Sequence, residues 1–228
     1  MIILKVTLLA YTPNPEKVIA AAARQCHSKL SALEIANKIK REDIEKTINK
    51  VIEVGHFSVL EHAYFTFLIE GISRACSHQL VRHRIASYSQ QSQRFVEVED
   101  EFIVPKSISE NNEAHKIFSE ALDNCKKCYK RLIEMGIPME DARYIIPQAS
   151  PTKIVVTMNA RSLWNFFELR CCLTSQWEIR MLAEKMLELV KSIAPIVFKK
   201  AGPFCITRGI CPEKKYDCPK WIELYKTK

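Results

Sequence analysis

Only 5 of the 228 residues are glycine, and they frame no phosphate loop. Neither G-x-G-x-x-G nor G-x-x-x-x-G-K-[ST] occurs, so a nucleotide or flavin bound by this chain is held without a Rossmann or P-loop fingerprint. Long apolar runs are missing too. None approaches the roughly 18 residues that span a bilayer, and no membrane partner is expected. No basic stretch precedes the apolar start at Ile2, Ile3 and Leu4, so that segment reads as a first strand rather than a signal peptide, with the cytoplasm as the expected location. Internal repeats, low-complexity tracts and Gly/Ser linkers are absent as well.

The bulk composition is that of a soluble globular protein, with 47% hydrophobic and 26% charged residues. The length suits one domain over 1–200, with 201–228 as a Cys- and Lys-rich C-terminal extension of it. Lys and Arg number 34 against 26 Asp and Glu, and the net charge of +8 favours anionic ligands. Part of that excess is a solvated tail: Lys199, Lys200, Lys214, Lys215, Lys220, Lys226 and Lys228. The 9 cysteines, in a chain without an export signal, read as reduced thiols. Cys125 and Cys128 fall inside a helical pattern, which discounts a redox C-x-x-C, and adjacent Cys171 and Cys172 read as packing residues. Cys205, Cys211 and Cys218 share a Pro-containing segment with no nearby His. They make an incomplete zinc set, so no metal is expected, while a local disulfide among them stays open.

Periodicity predicts strands over 2–11, 63–70 and 153–158. Helices are predicted over 16–25 with Asn14 as N-cap, 31–40, 41–54 ending at Gly55, 72–82, 109–136, a short one from Met139, 159–172 and 176–197. The fold class is α+β: a small mixed sheet with several long helices.

Residues Gln79 to Arg94, Q-L-V-R-H-R-I-A-S-Y-S-Q-Q-S-Q-R, carry the densest chemistry. Arg82, His83 and Arg84 stand in a row, and a polar run through Ser87, Ser89, Gln90, Gln91, Ser92 and Gln93 closes on Arg94. Such a stretch is rich in donors for a phosphate and for the imide edge of a base. Three further elements are ordered along the chain. His56-x-Ser58-x-x-Glu61-His62 also suits a capping box, with Ser58 capping and Glu61 answering it. Ala142-Arg143-Tyr-Ile-Ile-Pro147 suits an amphipathic helix with a surface arginine. Asn159-Ala160-Arg161-x-x-x-Asn165-Phe-x-x-Leu-Arg170 places Arg161, Asn165 and Arg170 near one helix face. Gln176-Trp177-Glu178 follows it.

Together these motifs resemble the flavin-dependent thymidylate synthases, whose signature is R-H-R, seven residues, a serine and an arginine two residues on. The resemblance extends to the first strand and to A-A-R-x-C-x-S around Arg24, Cys26 and Ser28, and covers about residues 1–200. It implies conversion of dUMP to dTMP, with methylenetetrahydrofolate as carbon donor, FAD as hydride source and NADPH as its reductant, in a homotetramer with sites shared between subunits. It assigns FAD contacts to Ser58, Arg82, His83, Arg84, Gln90, Asn159, Ala160, Arg161 and Asn165. It assigns dUMP contacts to Gln79, Leu80, Val81, Arg82, Gln90, Gln91, Ser92, Gln93, Arg94, Arg143 and Arg170, with Arg170 the catalytic group. The chain departs from the pattern at Ser89-Gln90, where many members carry Asn-Glu, and at Thr174, where some carry His. The P-C-H context of the cysteine-dependent thymidylate synthases is absent, and Ser92 has no evident base to activate it. Two other readings remain: a basic nucleic-acid module using R-H-R and the Lys-rich tail, for which no aromatic-interleaved basic patch is present, or another flavin or folate enzyme on the same scaffold.

Overall fold

The computed structural model describes residues 2–98 and 101–225, so Lys226 and Lys228 of the basic tail lie outside the described residues. In chain order, β1 (Lys5–Tyr11) leads into α1 (Pro15–Gln25), α2 (Ala32–Lys38), α3 (Arg41–Val54), a 3-10 turn over Phe57–His62, and β2 (Tyr64–Ser73). There follow α4 (Arg74–Leu80), β3 (Ser87–Gln90), α5 (Lys106–Ser109), the long α6 (Asn112–Glu134) and α7 (Met139–Ala142). A second 3-10 turn (Arg143–Ile145) precedes β4 (Pro151–Asn159). The chain ends in α8 (Ala160–Arg170), α9 (Trp177–Ile193), α10 (Pro195–Phe198), α11 (Phe204–Thr207) and α12 (Pro219–Tyr225).

The strands form one sheet in the order β1-β2-β4-β3. It is antiparallel, which corrects the expected mixed sheet. The Tyr64 carbonyl accepts the Thr12 N–H at 2.9 Å, where β1 ends and β2 begins. The Ala63 carbonyl likewise accepts the Ala160 N–H at 2.8 Å, where β4 ends. Neighbouring strands therefore run in opposite directions, and the connection from β2 to β3 passes over the position that β4 fills between them. Phe65, Phe67 and Ile69 alternate into the core from β2, as a half-buried strand requires. At Gly71 the chain takes φ 71°, and a Cβ there would meet the Ile3 carbonyl oxygen at 2.5 Å, so only glycine fits.

Two compact units can be distinguished. The first comprises residues through Lys5, Leu68–Arg82 and Tyr88–Val155. The second comprises Val6–Phe67, His83–Ser87 and the chain from Val156 onward. The second unit has an aromatic core, in which Phe198 meets Phe65 edge-on at 5.7 Å and Phe167 at 6.0 Å. Beside it, buried Glu16 accepts the Ile196 N–H at 2.6 Å and pairs with Arg41 at 2.7 Å. In the first unit, α6 starts at Asn111, whose side chain accepts the Ala114 N–H, and turns Leu122 and Tyr129 inward. Among the described residues no helix is long and apolar enough to cross a membrane.

Local expectations are corrected at four places. Asn14 precedes α1 in the left-handed region (φ 50°) and makes no side-chain cap, because Pro15 already presets the first turn. Ser58 is not a cap either: the 3-10 turn starts after His56 without a side-chain cap, and Glu61 turns instead to Arg161. β2 continues through Ile72 to Ser73, whose hydroxyl accepts the Cys76 N–H at 3.0 Å and starts α4 two residues later than expected. Finally, the polar run Ser87–Gln90 is a strand. Its sequence shows no apolar alternation because an edge strand can be held by backbone pairing to one neighbour alone.

Candidate active site

In the second unit the site is built on α8. Asn159 accepts the Ser162 N–H at 2.8 Å and starts the helix, and Phe166 is fully buried. Arg170, four residues on, shares the Phe166 face. His83 is positioned by both: its ring stands edge-on to Phe166 at 4.9 Å, and its Nε2 accepts the Arg170 Nε–H at 3.1 Å. Burial, together with the Arg170 charge, pushes the His83 imidazole down to about 4. The ring is therefore neutral near pH 7. With Nε2 accepting, its proton sits on Nδ1. This hydrogen bond helps to orient the guanidinium plane of Arg170.

At the other end of α8, Arg161 is paired with Glu61 of the 3-10 turn. Asn165 lies exposed on the same helix, whereas Ala160 is buried and donates its N–H to Ala63. Asn159 is 5% exposed and its oxygen is spent on the cap, which leaves its amide N–H groups as donors. Ser58 and His56 line a cavity of about 770 Å³ with Arg24, Ser28, Lys46 and Lys50. The A-A-R-x-C-x-S and H-x-S-x-x-E-H elements, far apart in sequence, thus meet in one cationic cavity. Arg84 is exposed in the loop after His83.

In the first unit, Gln79 lies in the last turn of α4, and Val81 and Arg82 follow it, both exposed. Leu80 has its side chain in the core, and its carbonyl accepts the Tyr88 hydroxyl at 2.9 Å. Burial raises the Tyr88 phenol well above its usual value, so it remains that donor. Gln90 donates through Nε2 to Ser77 (2.9 Å) and Thr152 (3.1 Å), so the face its amide offers a ligand is the Oε1 acceptor. Gln93 donates to Ser150. The turn after β3 is tight, with Ser92 Oγ accepting the Arg94 N–H at 3.1 Å. Arg94 pairs with Glu140 at 2.6 Å, and Arg143 donates Nε–H to the Glu140 carbonyl at 3.0 Å.

Two residues here went unread in the sequence. Glu140 is one, as the anchor of Arg94. The other is Arg74, whose Nη2 donates to the Gln91 carbonyl at 2.7 Å while its Nε is buried without a hydrogen-bond partner. Burial, and then the Arg143 charge, lower its pKa. The available signal was positional: a cation in the first turn of a helix opposes the helix dipole, an arrangement that calls for another use of the charge. Arg74, Arg94 and Arg143 thus gather around the Gln91–Arg94 turn.

All 9 cysteines are free, so no disulfide joins Cys205, Cys211 and Cys218. Among the described residues no three of His, Cys, Asp and Glu are arranged to hold a metal.

A family profile described as "Thymidylate synthase complementing protein" matches residues 7–196. The flavin-dependent thymidylate synthase of Geobacter sulfurreducens is 51% identical over 97% of this chain and 96% of its own. That of Pyrococcus abyssi is 46% identical over 96% of this chain and 97% of its own. Among solved structures, a UMP/dUMP methylase, PolB, from Streptomyces cacaoi bound with 5-Br dUMP matches with a TM-score of 0.79. It is 24% identical and covers 86% of this chain and 94% of that one, which shows a shared fold. With two relatives matched nearly end to end and the profile spanning most of the chain, this protein belongs to the flavin-dependent thymidylate synthase family.

Proposed function

We propose that this chain converts dUMP to dTMP in the cytoplasm, with 5,10-methylenetetrahydrofolate as carbon donor, FAD reduced by NADPH, and tetrahydrofolate released. The observation that carries this reading is Arg170 held at Nε by a histidine that stays neutral. Uracil C5 is a weak nucleophile until electron density is pushed into the ring. A fixed cation at the imide edge stabilises the ionised ring and so makes C5 nucleophilic. His83 accepts from the Nε–H of Arg170, and the uracil oxygen is assigned to the guanidinium of that same side chain. A protonated His83 would lose this acceptor and add a like charge.

The dUMP phosphate is assigned to the turn from Gln91 to Arg94, with Arg143 and Arg74 supplying charge. Ser92 is assigned to binding rather than attack: its Oγ accepts the Arg94 N–H at 3.1 Å, and among the described residues no carboxylate or imidazole is hydrogen-bonded to it. The cavity at Ser58 fits FAD, since 770 Å³ lies within the range of small-ligand sites and its lining supplies Lys46, Lys50 and two serines for an anionic dinucleotide, beside Arg24 paired with Asp43 at 3.3 Å. When bound, reduced FAD supplies the hydride. Exposed Ile85 (74%) and Phe95 (72%), both in or beside the signature, support burial against other copies in a homotetramer.

The test is the visible spectrum of the purified protein before and after FAD, then dUMP. A flavin spectrum that shifts on adding dUMP is the expected result. Failure to bind flavin overturns the reading. The Arg170→Ala enzyme is expected to keep its flavin spectrum and lose turnover by about a hundredfold or more.

A further inference from the structure

The C-terminal segment is assigned no step in the reaction proposed above, yet it holds a third of the cysteines and shares a cavity with Arg170. Cys205, Cys211 and Cys218 line a cavity of about 310 Å³, and Cys172, two residues past Arg170 at the end of α8, lines it with them. The four thiols therefore come from separate elements to one place. They are partly exposed, unlike Cys76 and Cys171, which are buried as packing residues are. The cavity is roomy for thiols, given that a water occupies roughly 30 Å³. Lys215 and Lys220 line it too. The donor set is not shaped as a metal cage, since among the described residues no three such groups are arranged around one point.

We propose that this cavity is a thiol–disulfide exchange site in which Cys172 and Cys205 bridge on meeting a low-molecular-weight disulfide. The choice of pair follows the docking of α11 on α8: Glu168 of α8 accepts the Thr207 hydroxyl at 2.8 Å and the Arg208 Nε–H at 2.8 Å, which ties the helix carrying Cys205 to the one that Cys172 follows. Burial raises the Cys205 thiol and Lys220 draws it back. The Cys172 sulfur is in contact with the Thr174 hydroxyl at 3.2 Å at the cavity wall. The exchange balances with glutathione disulfide as co-reactant. The Cys172 thiolate attacks, the glutathione S–S bond breaks, and one glutathione thiol leaves. The Cys205 sulfur gives its proton to water and displaces the second glutathione from Cys172. Two protein thiols are oxidised and one glutathione disulfide is reduced. Because burial keeps Cys205 protonated, the closing step speeds up as pH rises above neutrality.

The native protein is incubated with glutathione disulfide at pH 7 and pH 9. Remaining thiols are blocked after denaturation, and the peptides are mapped by mass. The expected product is a Cys172–Cys205 cross-link that forms faster at the higher pH. It should be absent in Cys205→Ser and retained in Cys218→Ser, which separates a lost partner from a disturbed fold. A bridge to any other cysteine, glutathione adducts alone, or free thiols throughout would each overturn the pairing. The readout is covalent mass and stands whatever the chain methylates.

Discussion

The Arg170–His83 hydrogen bond makes a prediction about pH. An unperturbed His in the unfolded chain takes a proton near 6.5, while in the folded site it does so only at about 4. The unfolded state thus binds more protons between these values. The contribution of His83 to stability is whole above the upper one and is lost as pH falls through the window. Urea midpoints of wild type and His83→Gln should therefore diverge least above pH 6.5 and most at about pH 4, where only the wild type has lost the contribution, since Gln accepts the same hydrogen bond without titrating. A parallel fall in both proteins would show that His83 titrates normally. Arg74 makes the second prediction at this scale. Its hydrogen bond to the Gln91 carbonyl shapes the turn proposed for the phosphate, although Arg74 lies outside the signature. Arg74→Ala should raise KM for dUMP by about tenfold, the effect of losing one charged hydrogen bond, and leave kcat within about twofold. A loss confined to kcat would place Arg74 at the chemistry instead.

Among the elements, the ones held by distant residues are the most exposed to mutation. Helix α10 has 4 residues and starts on a hydrogen bond from Ile196 to Glu16, far away in sequence. Glu16→Ala should destabilise the fold by about 2 kcal/mol, as expected for a buried charged hydrogen bond, and chemical denaturation reads it directly. No local pattern announces such a contact, which is why that region reads from sequence as the tail of one long helix. The legible elements are those whose determinants are local. α3 ends at Gly55 (φ 78°) and α2 starts from the Ser31–Glu34 capping box, both readable from a few neighbouring residues. The active site divides the same way. Arg170, His83 and the polar turn were marked by residue type and spacing. Tertiary geometry alone gives the Glu61–Arg161 pair, the Glu140 anchor and the burial of Leu80. The edge strand β3 escaped because it is specified by its partner's backbone rather than by its own side chains.

For the whole molecule, the question is how 228 residues with few glycines would serve the four ligands proposed above, dUMP, FAD, folate and NADPH. The proposed answer is a homotetramer whose sites draw on more than one subunit, and it can be tested without further structural work. Arg143→Ala and Arg170→Ala each remove one required group, and each homotetramer should be nearly inactive. If a site takes Arg143 from one subunit and Arg170 from another, subunits exchanged between the two variants rebuild some sites with both groups intact. Random mixing in a closed symmetric assembly then restores about a quarter of wild-type turnover. Sites formed within single subunits restore none, because every subunit in the mixture carries one lesion. Light scattering on each variant should first give four times the 26.3 kDa subunit mass, so that absence of rescue cannot be blamed on failed assembly. Recovered activity in a mixture of dead enzymes would locate the catalytic unit in the assembly, and its absence in intact tetramers would return it to the single chain.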